Sequence, residues 1–450
     1  MPHVDRRTLL RLGAAAALAP MIAARAGAAA AQGRTPSVRA GRTPTGPAGP
    51  AGPGLRGLAL SLPAPTGRHR TLGTVELHLI DRTRRDPLVP AKPYRELMIS
   101  IWYPAERAAG HPVAPWLPAG AAADWDAHTA PGLTVATGAV DWAGLRGHAR
   151  DDAPVDRRAG RLPVLLFSSG DGGSRALGTT LVEELASHGY AVVTVDATYE
   201  ADQVEFPGGR VERALPLPPD LTPEVIAALL DQHSRARLAD GHFVLDRIAD
   251  LAEGRHPGAD PGVDPGTAPD LAPGTPVRPL PAGLADALDL GRVGVLGQSL
   301  GGSVAAALAH EIPGIAAAAN LDGAFVGPIA PTGLDKPLLL LTSELNTFST
   351  EPSWGTFWAA SAATGWRRAL RLRGSRHGSY TDLQVLLPAL AAHLPVPAAP
   401  ELVGTIDPRR SLAAQRAALT AFFDLHLKHR RTSFFANPTA RHPDLEVLRG

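Results

Sequence analysis

The chain has 450 residues, 44% hydrophobic and 19% charged, enough to bury the core of one large or two ordinary globular domains. A formal net charge of +1 leaves no basic footprint for nucleic acid. The absence of cysteine excludes disulfides, thiolate metal sites and a cysteine nucleophile.

In chain order, Arg6-Arg7 precede an apolar run from Leu12 to Ala24, and small residues follow from Ala26 to Ala31. A twin arginine, a modest apolar stretch and an A-x-A-like end form the pattern of a twin-arginine export signal. The run is shorter than the ~20 residues of a membrane span. Residues 1–32 are therefore expected to be read by the twin-arginine export machinery and removed, leaving a secreted chain. Residues 33–57 contain collagen-like triplets such as Gly46-Pro47-Ala48, too few for a triple helix, and are expected to be a flexible linker. Residues 58–450 are expected to form a single domain.

Within it, Thr74–Asp81 and Arg95–Tyr103 alternate apolar and polar residues and predict two antiparallel strands, the second stopped by Pro104. The segment from Ala105 to Gly160 predicts a loop with short helices, whose Trp116, Trp125 and Trp142 either rim a binding cleft or simply pack. Leu162–Ser168 is a buried-type strand. It is followed by Ser169-Gly170-Asp171-Gly172-Gly173-Ser174, a helix from Leu177 to His188 closed by Gly189, and a strand from Tyr190 to Asp196. This order predicts a right-handed βαβ unit of a parallel sheet. The glycines lack the spacing and the terminal Lys-Ser/Thr of a phosphate-binding loop.

Residues 197–222 read as irregular; Thr222-Pro223-Glu224 starts a helix with Thr as cap, and Ser234–Leu251 is a second helix. Residues 254–283, crowded with Pro and Gly, predict an exposed excursion. Strands are predicted at Ile315–Ala319, Leu338–Thr342 and Arg368–Arg373, the last of them edge-like, and a closing helix at Ser411–Lys428.

Between the excursion and Ile315, a short apolar strand from Arg292 runs into Gly297-Gln298-Ser299-Leu300-Gly301 and then an Ala-rich helix. This is the G-x-S-x-G pattern of a nucleophile elbow. The serine sits on a strained strand-to-helix turn, and the flanking glycines avoid clashes that any Cβ would make. The helix behind it aims free N–H groups at developing negative charge. A serine hydroxyl needs a neutral imidazole to take its proton and a carboxylate to orient that imidazole. His377 is the histidine placed just past a late predicted strand in a Gly/Ser loop. His310, His393, His426 and His429 read as structural, the last two as a solvated helical face. For the acid, Asp322 follows the strand after the nucleophile helix and Glu344 follows the next one; pattern alone leaves them even. Serine, acid, histidine is the chain order of α/β-hydrolases, whose second oxyanion donor lies in the Gly loop after an earlier strand. The backbone N–H groups of Leu300 and Asp171 are the candidates.

The sequence resembles the platelet-activating-factor acetylhydrolase family (group VII phospholipase A2-like), with its actinobacterial secreted esterases, over roughly Leu72 to Arg430. The resemblance rests on Met98–Pro104, Phe167–Gly172, Leu185–Tyr190, Gly297–Gly302, Leu321–Gly323, Thr342–Glu344 and Arg373–His377. It implies an α/β-hydrolase fold, with a mostly parallel sheet, helices on both faces and antiparallel N-terminal strands. It further implies a serine ester hydrolase of short acyl lipid esters, with Ser299 as nucleophile, His377 as base and Asp322 rather than Glu344 as acid. No cofactor or metal is implied; the partners are a small-molecule or lipid ester and, transiently, a lipid surface. Two positions depart from the family pattern: Ser169 stands where histidine is usual, and Asp171 where an apolar residue is usual. Only the backbone N–H of Asp171 is therefore expected to face the reaction centre. A broader lipase or polyester hydrolase with the same triad, or a non-catalytic secreted binding protein on the same scaffold, are the rival readings.

Overall fold

The computed structural model describes residues 57–257, 278–361 and 365–449. The predicted signal peptide, nearly all of the linker and most of the 254–283 excursion lie outside the described residues. The strands are β1 (Leu72–Asp81), β2 (Arg95–Pro104), β3 (Val113–Pro115), β4 (Arg146–Asp151), β5 (Leu162–Ser168), β6 (Ala191–Asp196), β7 (Gln203–Phe206), β8 (Arg210–Arg213), β9 (Leu288–Gln298), β10 (Ile315–Leu321), β11 (Leu338–Thr342), β12 (Arg367–Leu372) and β13 (Leu445–Arg449). The helices of nine or more residues are α1 (Thr179–Ser187), α2 (Pro223–Ala252), α3 (Leu300–Glu311), α4 (Pro352–Ala360), α5 (Leu383–Ala391) and α6 (Pro408–Leu427).

Eleven strands form one sheet in the order β13-β12-β11-β10-β9-β5-β6-β2-β1-β4-β3. From β6 across to β12 every neighbouring pair is parallel, whereas β2 runs against β6 and β1 against β2. The central strands are apolar on both faces, as burial under helices on either side requires. Alternate residues separate cleanly. Leu162, Val164 and Leu166 of β5, with Leu338 and Leu340 of β11, join one core containing Val244 of α2, Val304 of α3 and Trp354 of α4. Leu165 and Phe167, with Leu339 and Leu341, join the opposite core containing Leu181 of α1 and Phe422 of α6. The sheet is thus sandwiched between two helical layers, an α/β-hydrolase arrangement.

The first helical turn of α2 is set by Thr222, whose hydroxyl accepts from Val225 N at 3.4 Å, with Pro223 at the first helical position. Instead of two helices, residues 223–252 form one continuous helix of 30 residues. The segment 105–160 contains the strands β3 and β4, and 197–222 contains the hairpin β7–β8. Trp116, Trp125 and Trp142 are all buried and pack on one another with centroids 5.2–5.9 Å apart, a core of their own. β12 is not an edge, because β13 pairs antiparallel along its outer side. His426 does not lie on a solvated face; it stands against Trp366 and Phe422, and burial pushes its pKa down to about 4.

Candidate active site

Ser299, Asp322 and His377 follow the C-terminal ends of β9, β10 and β12, the end of a parallel sheet where ligands bind. Ser299 adopts φ 56° and ψ −125°, a conformation of an L-residue that persists only where its surroundings enforce it. The enforcement is visible. Ser299 N donates to Leu321 O at 2.9 Å, and α3 starts at Leu300. A Cβ on Gly297 would lie 2.2 Å from the carbonyl carbon of Gly301, and one on Gly301 would lie 2.1 Å from Ser168 O, so the elbow needs both glycines.

Asp322 also has a positive φ, 60°, and is fully buried. Four donors converge on its carboxylate. Oδ1 accepts from Ser343 N at 2.7 Å; Oδ2 accepts from Ser343 Oγ at 2.8 Å, Asn346 Nδ2 at 2.9 Å and His377 Nδ1 at 2.8 Å. Of the two candidate acids, then, the structure brings Asp322 to His377. Glu344 instead accepts from Gly374 N at 2.6 Å and holds the start of the histidine loop. Ser375 Oγ donating to Leu372 O at 2.6 Å and Tyr380 Oη donating to Thr342 O at 2.8 Å fix that loop further.

With Nδ1–H given to Asp322, the imidazole is left with Nε2 as an acceptor. Nε2 stands beside the elbow, where Gln298 Nε2 approaches it at 3.2 Å and also donates to His377 O at 3.4 Å. Gln298 was not singled out by sequence reasoning, although its place inside the elbow motif is a signal that could have found it.

Leu300 is the first residue of α3, so its N–H belongs to the helical turn that has no intrahelical acceptor. Its side chain is buried against Ile226 and Leu230 of α2, with Leu217, Leu221 and Val326 alongside. Asp171 is buried, and its carboxylate turns toward α2, where Oδ1 accepts from His233 Nδ1 at 2.6 Å. Ser169, in the place usually held by histidine, donates its hydroxyl to Gly173 O at 2.5 Å and so closes the glycine loop internally. His233, Glu200 and Arg237, gathered around Asp171, were not found from sequence. Asp171, Glu200 and His233 have ligand-type atoms within 4.8 Å of one another, but the Arg237 guanidinium bonds Glu200 and already supplies the positive charge there.

The sheet order, the elbow and this Asp–His pairing define an α/β-hydrolase. Comparison with known proteins agrees. The family model described as platelet-activating factor acetylhydrolase, isoform II, matches residues 86–203. A probable 1-alkyl-2-acetylglycerophosphocholine esterase of Arthroderma benhamiae is 24% identical over 413 residues, covering 86% of this chain and 93% of the relative. The solved structure of a ferulic acid esterase from Streptomyces cinnamoneus is 32% identical, with a TM-score of 0.67, covering 86% of this chain and 99% of that one. The chain belongs to the platelet-activating-factor acetylhydrolase-like family of α/β-hydrolases, and it is a carboxylic ester hydrolase.

Proposed function

We propose that the protein is an exported serine esterase that cleaves short acyl esters of lipids through an acyl-enzyme. The observation that carries the catalytic reading is the 2.8 Å contact of His377 Nδ1 with Asp322, beside a serine in the strained elbow conformation. Ser299 Oγ attacks the ester carbonyl carbon while His377 Nε2 takes its proton, and Asp322 stabilises the resulting imidazolium. Negative charge gathers on the carbonyl oxygen, where the N–H groups of Leu300 and Asp171 meet it. Collapse expels the alcohol with the proton from His377. Water activated by the same imidazole then releases the acid. Because Nε2 has one lone pair, the Gln298 hydrogen bond must give way as the serine proton transfers. No cofactor enters the scheme.

The apolar wall of Leu300, Ile226 and Leu230 beside the nucleophile supports an apolar acyl or alcohol group. The Arthroderma relative's name supports a short acyl on a glycerophospholipid; the Streptomyces esterase, more similar in sequence, favours an aromatic acyl as the second reading. Arg6-Arg7 and the apolar run behind them support export by the twin-arginine route. The deciding experiment labels the purified protein with a fluorophosphonate and assays glycerophospholipid acetyl esters beside methyl ferulate. A chain that does not react, or a Ser299→Ala variant that labels equally, rules the serine mechanism out; the faster ester class selects the substrate.

A further inference from the structure

The loop after β5 is held between the nucleophile and α2. On one side, a Cβ placed on Gly170 would lie 3.1 Å from Ser299 Cβ, so the loop backbone runs against the serine itself. On the other side, α2 presents His233 and Arg237, four residues apart and therefore on one helical face. His233 Nδ1 meets Asp171 Oδ1. Arg237 donates to the carbonyl oxygens of both Ser169 and Gly170, the latter at 2.9 Å, and to Ser168 Oγ at 3.1 Å, while its Nε binds Glu200 Oε2 at 2.8 Å. Gly170 O also accepts from Gly173 N at 3.0 Å. Asp171, Glu200, His233 and Arg237 are all buried.

Burying such a network is a poor way to gain stability, because desolvating each ion is costly and the pairing only offsets that cost. Its geometry has a different use. In a trans peptide the C=O and N–H point in opposite directions, and the bond is rigidly planar. Gly170 C=O and Asp171 N–H belong to one such plane. A guanidinium that holds Gly170 O toward α2 therefore turns Asp171 N–H away from α2, and a second anchor on the Asp171 carboxylate stops the plane from rotating.

We propose that Arg237 and His233 are positioning residues for the oxyanion hole: from α2 they fix the peptide plane that carries the Asp171 N–H, Arg237 through the carbonyls of Ser169 and Gly170 and His233 through the Asp171 side chain. The proposal rests on the reading of Asp171 N–H as an oxyanion donor. It also accounts for the acidic residue at a position where the family usually has an apolar one. The carboxylate is a handle on the far side of the loop.

The test is a set of variants assayed for kcat and KM on p-nitrophenyl acetate, for affinity toward a trifluoromethyl ketone that forms a tetrahedral adduct with the serine, and for Tm. Arg237→Met should lower kcat by roughly 10–100-fold, less than the roughly 10²–10³-fold of deleting an oxyanion donor outright, with KM nearly unchanged and ketone affinity falling in parallel with kcat. Arg237→Lys should recover part of the loss. His233→Ala and Asp171→Ala should each cost about 3–30-fold in kcat, and the double variant no more than either, because they remove one anchor. Asp171→Asn keeps an acceptor for His233 and should lose clearly less kcat than Asp171→Ala. If Arg237→Met does not fold, the His233–Asp171 cycle carries the test alone. The proposal is overturned if KM rises while kcat holds, if Tm falls with kcat and ketone affinity unchanged, or if the His233 and Asp171 losses multiply. It is also overturned if EDTA removes activity and zinc restores it in wild type but not in His233→Ala, since the cluster would then be a metal site. Retained activity in Ser299→Ala would instead defeat the serine mechanism, an outcome these variants do not mimic.

Discussion

His377 and Asp322 are 55 residues apart in sequence, yet His377 Nδ1 lies 2.8 Å from Asp322 Oδ2. That single contact sets the tautomer, because a carboxylate can only accept a hydrogen bond and so keeps the proton on Nδ1, leaving Nε2 as the acceptor. Residues that work as such a unit lose their effect together. Ser299→Ala and His377→Ala should each lower kcat by about 10⁴-fold or more, and the double variant should be little worse than either. Stopped assays with all three proteins read this directly; losses that multiplied would show that one role is misassigned.

The two acids separate in the same assay. Asp322→Asn should keep the fold but reduce kcat by roughly 10²–10⁴-fold, because an amide facing Nδ1 favours the wrong tautomer. Glu344→Gln removes only the carboxylate that caps Gly374 N, and should cost far less, with its effect in Tm more than in kcat. The reverse order in kcat would move the acid to Glu344.

A different carboxylate governs stability against pH. Asp382 is fully buried, with Oδ1 accepting from Thr180 N and Oγ1 and Oδ2 accepting from Trp116 Nε1. Burial pushes its pKa from 3.8 up to about 7, against the lowering effect of those hydrogen bonds. The folded chain therefore holds a proton that the unfolded chain has released. The contribution to stability is fully present below about 4 and is lost as pH rises through about 7. Asp382→Asn cannot titrate. Its unfolding free energy relative to wild type should rise with pH across that window, by at most about 1.4 kcal/mol per pH unit. Denaturant titrations at several pH values measure it; parallel curves would mean that Asp382 is ionised throughout.

Substrate length is expected to matter gradually. Each methylene in an apolar pocket is worth only ~1–3 kcal/mol, so kcat/KM on p-nitrophenyl esters should be highest from acetyl to butyryl and decline steadily beyond. EDTA should leave the series unchanged. A maximum among long chains would favour a true lipase.

Export has its own measurement. Changing Arg6 and Arg7 together to lysine keeps the charge but removes the receptor-read pair. Uncleaved precursor should then accumulate in the cytoplasm, seen by fractionation and immunoblot; normal secretion would point to another route.

How far the sequence reaches depends on whether a feature is local. Strands β5 and β11 were legible to the residue because buried parallel strands are continuous apolar runs with abrupt ends. The elbow was legible because a strained turn demands glycine at fixed offsets. β4 was not, since Arg146–Asp151 has only Gly147 and Ala149 to turn inward. It is held by its neighbours and by Glu183, whose Oε1 accepts from the N–H groups of His148 and Ala149. The hairpin β7–β8 has just four residues per strand, below the length at which alternation is informative. The cluster at Asp171 joins three segments, and no spacing in the chain announces which buried charges will meet. For the acid, the residue pattern left two choices, the family resemblance pointed to Asp322, and the structure pairs Asp322 with His377 through a positive-φ turn that spacing could not foretell.

Gly323 carries that turn past Ser299 so closely that a Cβ there would lie 2.0 Å from Ser299 O. With Ser299 N bound to Leu321 O as well, the turn after β10 and the elbow after β9 are one mechanical body. Asp322 and Ser299 cannot drift apart. The configurational entropy of bringing them together is lost once, during folding, rather than with each substrate. Whatever motion admits an ester must arise in the parts that surround this body, so variants that slow binding should map to the segment before α2 and not to the two turns. Directed evolution toward bulkier esters has its room there, while position 323 admits no side chain at all.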